Sequence, residues 1–147
     1  MDKEQTLEAI QKARAAHESQ MAKIEALIEG KEVDNPTAVA KTKCEFGKWL
    51  YDDNNKVQKI LGAQFYQTIE VVHARWHMEY VRIFDIFFKD KKKGFFAKIT
   101  GSTKANDMQR DKAKLYYSEL LQTTEDLLKI LASSERRISA LSDSKFN

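Results

Sequence analysis

The stretch HARWH places His73 and His77 four residues apart. On a helix, residues at that spacing share one face, with Cβ atoms about 5–6 Å apart. Two imidazoles so placed can grip one metal ion at about 2.0–2.1 Å each. The zinc peptidase motif uses the same spacing but needs glutamate directly after its first histidine, and Ala74 stands there. Two further residues carry ligand chemistry: His17, and Cys44, the sole cysteine. A lone cysteine makes no intrachain disulfide, so Cys44 is a buried filler, a reactive thiol, or a ligand whose partners lie elsewhere. Three neutral imidazoles and one thiolate would close a tetrahedral zinc site with a net charge of about +1. The thiol would serve only as thiolate, and the metal would lower its pKa.

The elements that must position these groups read as helices. The chain has 147 residues, with five glycines and one proline. So few breakers favour a few long helices over many short strands. Over residues 3–29, Leu7, Ile10, His17, Met21, Ile24 and Ile28 form one stripe at three- and four-residue steps, interrupted by Arg14 beside Ala13. His17 lies in the middle of that apolar face, a costly place for a polar ring without a partner. Gly30 ends the helix, and KEVDNPT reads as a loop. Asp34 or Asn35 would cap a second helix with Pro36 at its first position, carrying Cys44, Phe46, Trp49 and Leu50 and fading at DDNN. A short helical turn spans Val57 to Leu61.

Residues 63–89 form the next helix. Phe65, Ile69, Val72, Trp76, Tyr80, Ile83 and Phe87 make one row; Tyr66, His73, His77, Phe84 and Phe88 make its neighbour. Trp76, Phe84, Phe87 and Phe88 read as core. After the basic stretch KDKKKGFFAKITGSTKAND, a last helix over 107–141 carries Ala113, Tyr117, Leu120, Thr124, Leu127, Leu131, Ile138 and Leu141 at heptad spacing, with Ser134 as a polar break. These heptads would serve the intrachain core or a dimer. The expected fold is an all-α antiparallel four-helix bundle with an additional short helix and a long C-terminal helix, one domain over 1–147.

A net charge of +3 gives no cause to expect nucleic-acid binding. The N-terminus lacks the apolar core of a signal peptide, and no stretch approaches the roughly 18 unbroken apolar residues of a membrane span. With one cysteine, a reducing cytoplasm is the expected compartment. Lys89 to Lys93 read as a solvated loop, with Phe95 and Phe96 leaving room for a partner or membrane-surface contact. A di-iron bundle site wants several histidines and bridging carboxylates; Glu70 lies one turn before His73, but three histidines are too few. No Ser-His-Asp pattern, phosphate loop or dinucleotide fingerprint occurs, so no enzyme is expected.

Cys44-Glu-Phe-Gly47-Lys-Trp49-Leu50-Tyr51 resembles the Cys-x-x-Gly-x-Trp-Leu-Tyr segment of the chemoreceptor zinc-binding (CZB) domain family. That family pairs the segment with an upstream helix histidine and a downstream His-x-x-x-His, positions matched by His17, His73 and His77. The resemblance covers about residues 10–88. Members often carry tryptophan where this chain has Gln20. The resemblance implies one Zn²⁺ per chain held by His17, Cys44, His73 and His77. Gly47 would permit close helix approach, and Trp49 and Trp76 would pack around the site. It further implies a module sensing zinc availability, or oxidants such as hypochlorous acid through Cys44, in bacterial chemotaxis or cyclic-di-GMP signalling. Family domains are usually attached to a chemoreceptor signalling region or a diguanylate cyclase; neither is seen, so a standalone protein is expected, acting as a homodimer or on a signalling partner in trans. A zinc-stapled structural or adaptor bundle, or a zinc buffer, is the alternative.

Overall fold

The computed structural model describes residues 1–33, 38–88 and 107–146. The expected cap at Asp34 or Asn35, Pro36, and the basic segment with Lys89 to Lys93, Phe95 and Phe96 lie outside them. The helices are α1 (Lys3–Ile28), α2 (Glu45–Leu50), α3 (Val57–Leu61), α4 (Ala63–Phe88) and α5 (Asp107–Ala140).

α1 begins at a capping box. Asp2 accepts from the Gln5 backbone N–H at 2.7 Å, and the Gln5 side chain accepts from the Asp2 N–H at 2.9 Å. It ends where Gly30 adopts φ +85°. That left-handed step lets Gly30 N–H reach Leu27 O and Lys31 N–H reach Ala26 O, satisfying two last-turn carbonyls. The buried face of α1 carries Thr6, Ile10, Ala13, His17, Met21, Ile24 and Ile28; Leu7 is only half-buried.

Side-chain pairs set the helix directions. Lys3 Nζ donates to Leu141 O at 2.9 Å, Arg14 meets Glu135 at 2.8 Å, and Thr124 Oγ1 meets Met21 Sδ at 3.2 Å, so α1 and α5 are antiparallel. Arg75 meets Asp126 at 3.1 Å and Arg82 meets Glu119 at 3.6 Å, so α4 and α5 are antiparallel as well. α1 and α4 therefore run parallel. Between them the chain returns in the opposite direction, passing Val39 beside His77, Tyr51 beside Glu70, and Gly62 at the foot of α4. The fourth wall of the antiparallel bundle is thus α2 and α3 joined by a 3-10 turn, Asp53–Asn55.

Two expectations are corrected. The second helix does not carry Cys44: residues 38–44 form bends and turns, and Cys44 caps α2 with its sulfur accepting from Gly47 N–H at 3.2 Å. A continuous helix would separate residues 41 and 47 by about 9 Å. Here the Lys41 carbonyl lies directly against the Gly47 Cα, where an added methyl would sit 1.6 Å from its oxygen. Gly47 thus permits the close approach of a turn, not of another helix. Second, Phe84, Phe87 and Phe88 are half-buried, while Trp76 is fully buried. With His17 level with His73 and Trp76, α1 ends near the level of Phe84 and Phe87, so nothing of α1 flanks the last turn of α4.

Candidate metal centre

The stripe on α1 and the two rows on α4 face each other across the bundle, which brings the three histidines together. All three are buried, and a ring nitrogen from each lies within 4.8 Å of the others. The His73 and His77 rings are 4.7 Å apart and edge-on, and His17 and His73 are 5.7 Å apart. Cys44 joins from the connecting wall, its Sγ 3.4 Å from His73 Nε2. It is half-buried, the one member of the group that is not sealed in the core.

Each imidazole is oriented from its outer nitrogen. His17 Nδ1 lies 2.7 Å from Ala13 O, and His77 Nδ1 lies 2.9 Å from Val39 O. Carbonyls only accept, so both rings carry their proton on Nδ1 and leave Nε2 as a lone pair. His73 Nδ1 lies 3.3 Å from the Tyr51 hydroxyl, which in turn donates to Glu70. Tyr51 has spent its proton on the carboxylate, so its oxygen accepts from His73 Nδ1–H. His73 therefore also turns a bare Nε2 inward, towards Cys44. These outer bonds select the tautomer that a metal needs.

Burial dominates the protonation of the group. It holds His17 below its ordinary range, against the Ala13 bond, which works the other way. It pushes His73 down to about 2, helped by His77, His17 and Lys41, and His77 down to about 4, against its Val39 bond. Burial pushes the Cys44 thiol up, partly countered by the backbone N–H groups of Gly47 and Phe46. Tyr51 is raised by burial and by its bond to Glu70, so it stays a phenol.

The donor set fits zinc. His77 Nε2 is buried and meets no hydrogen-bond partner among the described residues. Such an orphan costs about 1–3 kcal/mol. In a tetrahedral site with bonds of about 2.0–2.1 Å, nitrogen ligands stand about 3.3 Å apart. Ring nitrogens already within 4.8 Å would need to close by no more than about 1.5 Å.

Residues 17–84 match the chemoreceptor zinc-binding domain. Over that stretch the chain is similar to the CZB family. The match opens at His17, spans Cys44, His73 and His77, and closes at Phe84. Neither the curated proteins nor the solved structures give a significant match.

Within the CZB segment, Trp76 packs edge-on to His17 at 4.9 Å and near His77 at 5.0 Å, and its Nε1–H donates to Thr124 at 2.8 Å. Trp49 is buried but separated from the histidines by Phe46, whose ring lies 5.0 Å from His73 and 5.7 Å from Trp49. The sequence alone names neither Phe46 as the ring next to His73 nor Val39, which holds His77, nor Lys41, Tyr51 and Glu70 beside His73 and Cys44. Tyr51 lay inside the quoted motif, and Glu70 three residues before His73 shares its helix face; those were the available signals.

Proposed function

We propose that this chain is a zinc-binding regulatory module in which His17, His73 and His77, through their Nε2 atoms, and Cys44, through Sγ, hold one Zn²⁺ per chain. The observation that carries this reading is the buried, partnerless Nε2 of His77, turned into a cluster with two other imidazoles and a thiol. Four protein donors fill a tetrahedral shell and leave no position for a reacting water, which favours binding over catalysis. When bound, zinc would supply the charge that keeps Cys44 a thiolate.

The signal is zinc availability or oxidation of Cys44, the one half-buried ligand. An oxidant of the hypochlorous acid class would pass its oxygen to the thiolate and leave as chloride, giving sulfenic acid. The altered sulfur would be a poorer ligand and a poorer cap for α2, whose first turn depends on the Gly47 N–H bond to it. The wall between α1 and α4 would then loosen. We place the module in the cytoplasm of bacteria, in chemotaxis or cyclic-di-GMP signalling, acting as a homodimer or on a partner in trans. Among the described residues no helix is long and apolar enough to cross a membrane.

The test is elemental analysis of purified protein beside Cys44→Ala and His77→Ala. About one zinc per chain, reduced in both variants, supports the site; no zinc in reduced wild-type protein refutes it. A permanent zinc staple, the second reading, predicts unfolding on chelation and indifference to mild oxidants. The apolar core runs on past the cluster, from Ile10 through Leu131 and Ile138 on one side to Ile24 and Ile83 on the other, which favours the switch over the staple.

A further inference from the structure

Glu70 lies outside the cluster of donors, yet both ends of the Cys44 turn converge on it. Its carboxylate accepts from Tyr51, seven residues after Cys44, and pairs with Lys41, three residues before it. Lys41 also lies over the Tyr51 ring at 5.3 Å, so the three side chains form one unit. From this unit, two contacts lead inward. The Tyr51 hydroxyl meets His73 Nδ1 at 3.3 Å, and the Lys41 carbonyl meets Cys44 Sγ at 3.4 Å. Glu70 sits on α4 one turn before His73, on a rigid helix, whereas Lys41 and Tyr51 belong to the irregular wall.

We propose that Glu70 is the positioning residue of the metal centre: through Tyr51 it fixes the ring of His73, and through Lys41 it holds the turn that presents Cys44. This inference rests on the zinc reading above and adds how that site is kept in shape. One carboxylate thereby couples a helix-borne ligand to a loop-borne one. Without it, the Cys44 turn loses the Lys41 pairing to α4 and keeps the Gly47 approach, the bond of its sulfur to Gly47 N–H, the contacts of Cys44 with His73 and the Lys41 carbonyl, and the Val39 carbonyl on His77. Outer partners of metal-binding histidines commonly change metal affinity by about 10–100-fold.

The experiment uses the full chain and compares wild type with Tyr51→Phe, Lys41→Met, Glu70→Gln, Glu70→Ala and Tyr51→Phe/Glu70→Ala. Zinc affinity is measured by competition with a chromophoric chelator, and cobalt(II) spectra report the ligands separately. Tyr51→Phe should weaken zinc about 10–100-fold, leave the thiolate-to-cobalt charge-transfer band, and shift the ligand-field bands. Lys41→Met should instead weaken the charge-transfer band. Glu70→Ala should do both, and adding Tyr51→Phe to it should cost little more, because the arm is already cut. Glu70→Gln, which keeps an acceptor for Tyr51, should restore most of the His73 effect. Circular dichroism of each metal-free variant accompanies the set. Affinities within twofold of wild type for Tyr51→Phe and Glu70→Ala, with binding lost in His77→Ala, would overturn the positioning role and leave the zinc site standing. Affinity that falls only in step with lost helicity would overturn it equally. Wild-type protein that takes up neither metal would sink the zinc site and this inference together.

Discussion

Gly47→Ala probes the join between the wall and the site. A methyl on Gly47 would lie 1.6 Å from the Lys41 carbonyl oxygen, 2.8 Å from its carbon and 3.3 Å from Cys44 Sγ. Carbon–oxygen contacts settle at about 3.3–3.6 Å, so the carbonyl would have to withdraw by about 1.7–2 Å. The obstacle is backbone, not the tip of a mobile side chain. Gly47 is helical, so alanine would otherwise stabilise α2 by about 0.8–1 kcal/mol. Overpacking of a close contact costs about 1–3 kcal/mol, sometimes more. With a backbone obstacle the upper end applies, and a net loss of about 2 kcal/mol follows. For a chain of this length that is a fall in Tm of about 4–8 °C. The displaced turn carries Cys44 with it, so its 3.4 Å approach to His73 is lost. Zinc affinity should fall at least about tenfold, in line with other losses of support around a ligand. Thermal unfolding of the metal-free protein and chelator competition measure the two effects. A variant that melts within a degree of wild type and binds zinc equally well would refute the close approach and the role given to Gly47.

Acid should destabilise the metal-free protein before it affects an ordinary helical bundle. The three histidines are held neutral, with folded pKa values below their ordinary 6.5. The unfolded chain therefore binds the extra protons: stability is complete above pH 6.5 and is lost as pH falls towards the lowered values of about 4 for His77 and about 2 for His73. Each such group contributes up to about 1.4 kcal/mol per pH unit, about 4 for all three. Urea midpoints that stay flat from pH 7.5 to 5.0 in the presence of chelator would contradict the buried neutral cluster. Thr124→Val should cost about 1–3 kcal/mol by leaving the buried Trp76 N–H unpaired, with zinc content unchanged. Denaturant titration and metal analysis of that one variant check both halves.

The long helices and the placing of His17, His73 and His77 on inward faces were legible because burial on a helix repeats at 3.6 residues. Val57–Leu61 was legible from its flanking breakers. The turn before Cys44 was not. Periodicity reports which face of a helix is buried, and it carries no mark for a chain that folds back on itself within six residues. The bonds of Tyr51 and Lys41 to Glu70 span 19 and 29 residues, so no local pattern announces them. Thr6 is buried where the stripe suggested Leu7, and Thr123 is buried beside Thr124 although the stripe passed it over; both turn their hydroxyls back to backbone carbonyls and need no solvent.

Thr124 lies at the midpoint of α5, where it receives the Trp76 N–H from α4 and touches Met21 of α1. α5 supplies none of the candidate ligands, yet it spans about 25 Å on either side of that point. Thr124 thus ties α5 to both α1 and α4 at its centre, level with the candidate metal centre. A rocking of about 10° there would carry each end through about 4 Å. A change of fit at the candidate centre that tilted α5 about Thr124 would be felt, enlarged, at the two ends of the helix.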